Sequence, residues 1–461
     1  MQDLEQILAN FEKIVSQNIC NDLAKKSKFI QRSTSRLKGY EFAQAMMVPN
    51  GFLEAETLNS LAVRMQKINS DCNLSAPALA QRINTKCAVV FMKTCFAKVL
   101  KEVVKRDLCG LSDLPNLFGF NRILIEDSTK AELHEKLSNS FKGSGGAASQ
   151  SAVKIDYVFD YLSEEIIDIE FFSGNIPDQS LANRIIKILE KDDLVIRDLG
   201  YYALERLKEI EDKGAYYISR FKSDIVVYGS REATKSLDLG VFLHENLVQG
   251  ALDVEVFIGK EKHPVRLVAC RISDEALNKR RRDANRTAQR QGTQVSKKKS
   301  RLMEYSIFIT NIPVSVLSSV AIMATYRSRW RVELIFKQWK SCLKLHLFKG
   351  YNEERFHCLL YGRLIMILLL GSVSPPLMRY ALKQGRELSC YKLTNYLIAD
   401  HGLPRAIQEG KVDKFIEKLL KDIPRRLCMD KRKRASLRAN VRMGNSYYNE
   451  LKMNKLYPDA A

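Results

Sequence analysis

The sequence lacks the features that mark secreted, zinc-stabilised or membrane-spanning proteins. Its ten cysteines form no Cys-x-x-Cys pair and it has only six histidines, so we expect reduced thiols and no structural zinc. The first residues have neither the basic head nor the apolar run of a signal peptide. The most apolar stretch, 364–370, is too short to cross a bilayer and predicts a buried core helix. These absences favour a globular cytoplasmic protein.

The chain has fewer acidic residues than basic ones. The chain has 74 Lys and Arg against 53 Asp and Glu, which gives a net charge of +21. A surplus of this size favours a polyanionic partner, with nucleic acid ahead of an anionic membrane surface; a merely basic soluble protein is the alternative. Ten of the 23 residues in 279–301 are Lys or Arg. This run is either a solvated loop or a segment that binds DNA phosphates through Lys297, Lys298 and Lys299.

The middle of the chain predicts an α/β core. Short apolar or alternating runs at 122–127, 153–159, 166–171, 194–198 and 215–221 predict five strands, with helices before and after the fourth. The first and fourth runs end in an acidic residue. Three strands, helix, strand, helix, strand is the element order of a ribonuclease-H-like core with a mixed five-stranded sheet.

Strand-like pieces and the basic run after residue 222 predict a β-rich insertion that interrupts this core, between helical N-terminal and C-terminal regions. The C-terminal region carries basic clusters at 425–426 and 431–434 and is a candidate for dimerisation. The expected division is an N-terminal DNA-binding region 1–112, catalytic core 113–222, insertion 223–315, catalytic core 316–381 and C-terminal region 382–461.

The N-terminal region contains a candidate helix-turn-helix. An apolar run at 61–65 is followed by a turn and then by a second predicted helix that begins after Ser75 and has Pro77 in its first turn. That second helix would present Gln81 and Arg82 to a DNA groove. The same pattern also fits any small helical bundle, so both interpretations stay open.

The most informative segment is 326–340. On a helix, Tyr326, Arg329, Glu333 and Lys340 fall at offsets 0, 3, 7 and 14 and share one face. A separate apolar stripe suited to packing on a sheet contains Val332, Ile335, Phe336 and Trp339. An acid flanked by cations and a hydroxyl fits a metal site with a phosphate held beside it. The alternative is an ordinary amphipathic helix with an i, i+4 Arg–Glu pair.

The spacing Tyr-x2-Arg-x3-Glu-x6-Lys resembles the signature of DDE transposases of the insertion-sequence-four type. Residues 125–129 resemble the first-aspartate strand of that family, and 196–202 resemble its second-aspartate block. Residues 347–370 look like the helix that follows the glutamate. The resemblance covers about residues 60 to 380.

The resemblance implies that Asp127, Asp198 and Glu333 are the catalytic residues and bind two Mg²⁺ ions, with Mn²⁺ as a substitute. It also implies which side chains hold DNA phosphates near the transposon end: Tyr326, Arg329, Lys340 and Arg220.

The implied function is a transposase that binds the terminal inverted repeats of an insertion sequence and catalyses DNA cleavage and strand transfer. Its partners would be double-stranded DNA, as transposon ends and target, and a second copy of the chain in a homodimeric synaptic complex at the nucleoid. A metal-dependent nuclease without strand transfer and an inactive transposase-derived DNA-binding protein are the alternatives. Relatives that cleave through a hairpin use a Trp of the insertion, whereas this chain has only Trp330 and Trp339, so the hairpin question stays open.

Overall fold

The structure is a computed structural model, and it describes a defined part of the chain. The described residues are 2–32, 34–48, 57–107, 119–145, 149–163, 165–247, 251–326, 329, 336, 339–340, 342–344, 347–348, 350, 352–386, 388–399 and 402–428.

The described helices are α1 Gln2–Val15, α2 Gln17–Lys26, α3 Gly39–Met47, α4 Leu58–Ile68, α5 Ala76–Ile83, α6 Lys86–Asp107, α7 Asp178–Leu181, α8 Asn183–Ile188, α9 Leu204–Asp212, α10 Leu239–Asn246, α11 Asp274–Arg290, α12 Lys297–Leu302, α13 Ser319–Tyr326, α14 Glu353–Lys383, α15 Cys390–Ile398, α16 Gly402–Glu409 and α17 Val412–Asp422. The described strands are β1 Ile123–Glu132, β2 Ala152–Asp160, β3 Glu165–Ser173, β4 Leu194–Arg197, β5 Tyr216–Arg220, β6 Val227–Tyr228, β7 Ala251–Ile258, β8 His263–Arg271 and β9 Tyr305–Thr310.

The chain forms two compact units. Unit 1 contains the described residues of Met1–Pro115, Leu124–Leu181 and Trp330–Met429. Unit 2 contains the described residues of Asn116–Ile123 and Ala182–Arg329.

Three antiparallel strands form the sheet of unit 1, in the order β1, β2, β3. The predicted strand 153–159 is present as β2, which is buried at all nine positions because side chains cover both of its faces. The predicted first strand is longer than expected. It does not end at Asp127 but continues to Glu132, since β1 pairs with β2 from Leu124 to Glu132. Asp127 therefore lies in the interior of a strand.

Helices α1 to α6 and α14 make up most of the helical part of unit 1. The 31-residue helix α14 contains the apolar stretch 364–370, in which every residue is buried. Residues Glu353–Ala381 are long enough to span a membrane, and their most apolar 18-residue window has a mean hydropathy of 1.8, but 89% of that window is buried within the protein. The helix is thus a core helix, as the sequence predicted.

A mixed sheet of six strands forms the centre of unit 2, in the order β4, β5, β9, β8, β7, β6. The β4–β5 pair is parallel and the remaining pairs are antiparallel. A separate five-stranded core is not confirmed. Strand β9, which the sequence analysis did not identify, pairs with β5 through Ile218–Arg220 and joins the strands of the predicted insertion to the same sheet.

The candidate helix-turn-helix corresponds to α4 and α5. Ser75 caps α5, because its hydroxyl accepts a hydrogen bond from the amide of Ala78. Leu79 and Ile83 are buried, whereas Gln81 is exposed. This burial fits both a DNA-reading pair and a plain helical bundle, so the DNA-binding role of α5 stays a prediction. The predicted basic cluster 431–434 lies outside the described residues.

Candidate active site

Asp127 is held in the middle of β1. It is half-buried, and its Oδ1 accepts a hydrogen bond of 2.8 Å from the amide of Ser128. Its direct partner across the β1–β2 pair is Tyr157. Side chains at directly opposed positions of an antiparallel pair project to the same face. Asp127 and Tyr157 therefore share one face of the unit 1 sheet.

Residues of the glutamate segment pack on that same face. The rings of Phe336 and Trp339 are both buried, and each has its centroid 4.9 Å from that of Tyr157. The predicted apolar stripe of this segment thus packs on the sheet beside Asp127. Glu333 itself lies outside the described residues. Because Trp339 is a core residue, it is not available to stack on a DNA base.

Tyr157 is a neutral neighbour for the carboxylate of Asp127. Burial of the ring raises the pKa of Tyr157 well above its usual value, and the negative charge of Asp127 raises it further. Its hydroxyl has no hydrogen-bond partner among the residues that the structure describes. Asp127 therefore faces a buried phenol that stays protonated over the physiological pH range.

A partly buried ion pair supports β1 from the opposite face. Lys154, 1% exposed, places Nζ 2.5 Å from Oδ1 of Asp178, and the hydroxyl of Ser128 donates to the same oxygen at 2.8 Å. Positions alternate between the faces of a strand, so Ser128 and Lys154 point away from the Asp127 side. The pair fixes the strand at the residue whose amide binds the Asp127 carboxylate.

Asp198 lies in unit 2, directly after β4. All four residues of β4 are buried, and Asp198 follows with extended backbone (φ −71°, ψ 160°) before a short 3₁₀ helix over Leu199–Tyr201. Its side chain makes no capping hydrogen bond to that helix. The half-buried carboxylate is therefore not committed to helix capping.

Asp198 and two arginines lie within electrostatic range of Tyr326. The hydroxyl of Tyr326 donates to the carbonyl of Arg197 at 3.4 Å, the residue just before Asp198. Burial raises the pKa of Tyr326 to about 12; the charges of Arg329 and Arg220 oppose this rise, and the charge of Asp198 adds to it. Unit 2 thus brings together four of the predicted site residues: an acid, a protonated phenol and two cations.

Arg280 adds a further cation to this part of unit 2. Partial burial lowers the pKa of its guanidinium, and the nearby positive charge of Arg220 lowers it further. It is not free to rotate, since Nη1 donates to the carbonyl of Tyr305 at 2.9 Å and Nη2 to the hydroxyl of Ser306 at 2.9 Å. Arg220, at the end of β5, therefore lies in a positive environment suited to an anion.

The other predicted residues are spread out. Lys340 is helical and half-exposed in unit 1, and Lys297, Lys298 and Lys299 are exposed on α12 in unit 2. No group of three potential metal-ligating side chains occurs within the described part of the chain. Glu333 is not among the described residues. The sequence analysis missed Tyr157 and the anchoring role of Arg280. The first depends on the pairing of β1 with β2 and the second on contacts between α11 and β9, and no local pattern reveals either.

The chain belongs to the Transposase DDE domain family, which matches residues 118–369. It is a DDE transposase of the insertion-sequence-four type, as its resemblance predicted. It is 29% identical over 429 residues to the transposase of insertion sequence element IS231E from Bacillus thuringiensis subsp. finitimus, covering 88% of each chain.

Two further relatives support the family assignment. The transposase of IS231B from Bacillus thuringiensis subsp. berliner is 30% identical, with 87% of this chain and 86% of the relative covered. The transposase of IS1151 from Clostridium perfringens is 30% identical, with 77% and 78% covered. A piggyBac transposase synaptic complex with hairpin DNA aligns with 95% of this chain at a TM-score of 0.40 and 12% identity, a likeness too weak to carry a conclusion.

Proposed function

We propose that this transposase binds the terminal inverted repeats of an insertion sequence, cleaves the DNA at those ends and joins them to target DNA. The observation that carries this proposal is the group in unit 2, where Tyr326 lies within electrostatic range of Asp198, Arg220 and Arg329 and its hydroxyl donates to the carbonyl of Arg197, the residue before Asp198. An acid beside two cations and a phenol suits a metal-binding carboxylate next to a bound phosphate. The relatives named above are transposases of insertion sequences, which supports the same substrate class.

The donor chemistry of the proposed catalytic residues fits a hard divalent cation. Asp127, Asp198 and Glu333 offer carboxylate oxygens, the ligands that Mg²⁺ and Mn²⁺ prefer. Asp127 is fixed by the amide of Ser128 through one oxygen, and Asp198 makes no capping bond. Two ions held by these residues would activate the attacking oxygen and stabilise the leaving oxygen of an in-line phosphoryl transfer.

The remaining side chains would bind and orient the DNA backbone. Arg220 and Arg329 would neutralise phosphate charge around Tyr326, and Lys340 would do so from the segment that contains Glu333. Tyr326 donates a hydrogen bond from its hydroxyl, because a pKa raised to about 12 keeps it protonated at neutral pH. We propose water as the nucleophile for the first nick and a DNA 3′-hydroxyl for the later steps.

The proposed assembly is a homodimer that holds both transposon ends, acting on double-stranded DNA at the nucleoid in the cytoplasm. The net charge of +21 supports association with DNA.

The test compares neutral, nearly isosteric variants of the three acids. Asp127→Asn, Asp198→Asn and Glu333→Gln should each lower the rate of Mg²⁺-dependent end cleavage by about 1,000-fold, since metal stabilisation of the transition state is worth several kcal/mol. Binding to end DNA should change little. Glu132→Gln, exposed on the same strand as Asp127, and Asp224→Asn, exposed beside Lys222, are the matched controls and should cleave normally.

The outcomes separate the possible functions. Nicking without joining to target DNA would favour a nuclease, and binding of the ends without nicking would favour an inactive DNA-binding protein. Normal cleavage by any of the three acid variants would remove that residue from the proposed site.

A further inference from the structure

Helix α11 carries most of the basic run. It starts after Ser273, whose hydroxyl accepts from the amide of Ala276, and none of its residues is buried. Its two acids in the first turn, Asp274 and Glu275, suit the positive end of the helix dipole. Six cations follow on the same helix: Lys279, Arg280, Arg281, Arg282, Arg286 and Arg290.

Two of these cations attach α11 to the rest of unit 2. Arg280 donates to the carbonyl of Tyr305 and to the hydroxyl of Ser306, both at the start of β9, and Arg281 lies 3.3 Å from the carboxylate of Glu304. Leu277, half-exposed, lies on the same side of the helix. This side of α11 therefore faces the protein.

The other four cations form a stripe on the opposite side, which we call the α11 stripe: Lys279, Arg282, Arg286 and Arg290. At 3.6 residues per turn they fall within about 80° of one another around the helix and extend over about 16 Å of its length. All four are exposed, and none forms an ion pair with a described residue. Two acids of α11 lie on this side of the helix: Glu275, one turn before Lys279, and Asp283.

The lysine run on α12 has a different geometry. Lys297, Lys298 and Lys299 are consecutive residues of a six-residue helix, so their side chains diverge by about 100° from one to the next. They cannot all face one linear array of charges. The α11 stripe can, because its members repeat at every turn of a helix that is fixed to the sheet by its other side.

We propose that the α11 stripe binds the phosphate backbone of double-stranded DNA without reading its sequence. A row of guanidinium groups with a separation of about 6 Å per turn is complementary to a linear polyanion, and cations that neutralise phosphates release condensed counterions. This inference rests on the proposed function only in taking DNA as the ligand. It does not depend on the catalytic acids or on metal.

The test measures the salt dependence of DNA binding by the full-length protein. The variant combines Arg282→Gln, Arg286→Gln and Arg290→Gln. The control removes the same charge from α17 through Lys414→Gln, Lys418→Gln and Lys421→Gln, exposed residues at i, i+4, i+7 that alternate with Asp413 and Glu417. Both use a duplex of random sequence and the element's own end, without divalent metal, so that no cleavage occurs.

The stripe variant should have a log–log salt slope that is shallower by about 2.7, from about 0.9 for each lost phosphate contact. Between 50 and 200 mM salt the wild-type protein should then lose about 40-fold more affinity than the variant does. The loss should be equal on both duplexes. The control should keep the wild-type slope, and both variants should keep the wild-type Tm.

A stripe variant with the slope of the wild-type protein would overturn the inference. End cleavage by that variant, assayed separately in Mg²⁺, would leave the proposed function standing. A control whose slope falls as far as the stripe variant's would also overturn it, since net charge alone would then explain the change. Unchanged DNA affinity together with lost binding to anionic lipid vesicles would overturn it in favour of a membrane surface. A wild-type protein that binds no DNA would overturn the proposed function and the inference together.

Discussion

The buried pair of Arg122 and Asp193 should be the most sensitive point of unit 2. Arg122 directly precedes β1 and Asp193 directly precedes β4. The guanidinium places Nε 3.0 Å from Oδ1 of Asp193, and the amide of Glu190 donates to Oδ2 at 2.8 Å. Side-chain exposure is 8% for Arg122 and 0% for Asp193, so solvent cannot replace a lost partner.

The perturbation is Arg122→Met, which keeps an apolar stem and removes the charge. It leaves a fully buried carboxylate without its cation, which costs about 3–5 kcal/mol in the free energy of unfolding. For a unit of this size the Tm should fall on the order of 10 °C. Differential scanning calorimetry measures the change directly.

Two further variants isolate the cause. Adding Asp193→Asn removes the stranded charge and keeps an acceptor for the amide of Glu190, so the double variant should recover more than half of the lost stability. Arg206→Met breaks a partly exposed pair with Glu209 and should cost less than about 1 kcal/mol. The reasoning fails if Arg122→Met costs no more than Arg206→Met, or if the double variant is as unstable as the single one.

Two other substitutions test one buried side chain in each unit. Arg363 is 1% exposed and donates to the carbonyls of Lys344 at 2.6 Å and Leu347 at 3.1 Å. Arg363→Met should therefore destabilise unit 1 by about 2–4 kcal/mol, whereas the control Arg405→Met, at an exposed position, should not. Equal Tm values of the two variants would contradict this prediction. The pKa of Tyr326 is about 12 in the folded protein and about 10 in the unfolded chain, so the wild-type protein loses stability as the pH rises from about 10 to 12. Tyr326→Phe removes this ionisation and should reduce the loss of stability over that pH range. Identical unfolding midpoints of the two proteins across that pH range would refute the burial of the hydroxyl.

The sequence predicted the elements that have a strong local pattern. Strand β2 and the core helix α14 lie where apolar periodicity placed them, and Phe336 and Trp339 pack on a sheet as the predicted stripe required. The polar end of β1 had no such pattern. Residues 128–132 are a strand because they pair with β2 across a hairpin, and no local composition indicates that pairing.

Long-range strand pairing explains the remaining features that the sequence did not predict. Strand β9 follows β5 by 84 residues, and the two are joined by the hydroxyl of Thr310, which donates to the carbonyl of Tyr217 at 2.6 Å. Register between distant strands is set by such contacts rather than by propensity. For the same reason Tyr157 could not be identified as the neighbour of Asp127. In contrast, the proximity of Tyr326 and Arg329 was predictable because their spacing along the chain is local.

The most direct test of the central claim is strand transfer by Asp198→Cys in Mg²⁺ and in Mn²⁺. Thiolate is a poor ligand for hard Mg²⁺ and a more acceptable one for the softer Mn²⁺. If Asp198 binds the catalytic metal, the variant should be inactive in Mg²⁺ and should regain at least about tenfold activity in Mn²⁺, while the wild-type protein joins DNA in both. A variant that binds end DNA normally but is equally inactive in both metals, or that is fully active in Mg²⁺, would contradict the assignment of Asp198 to the metal site.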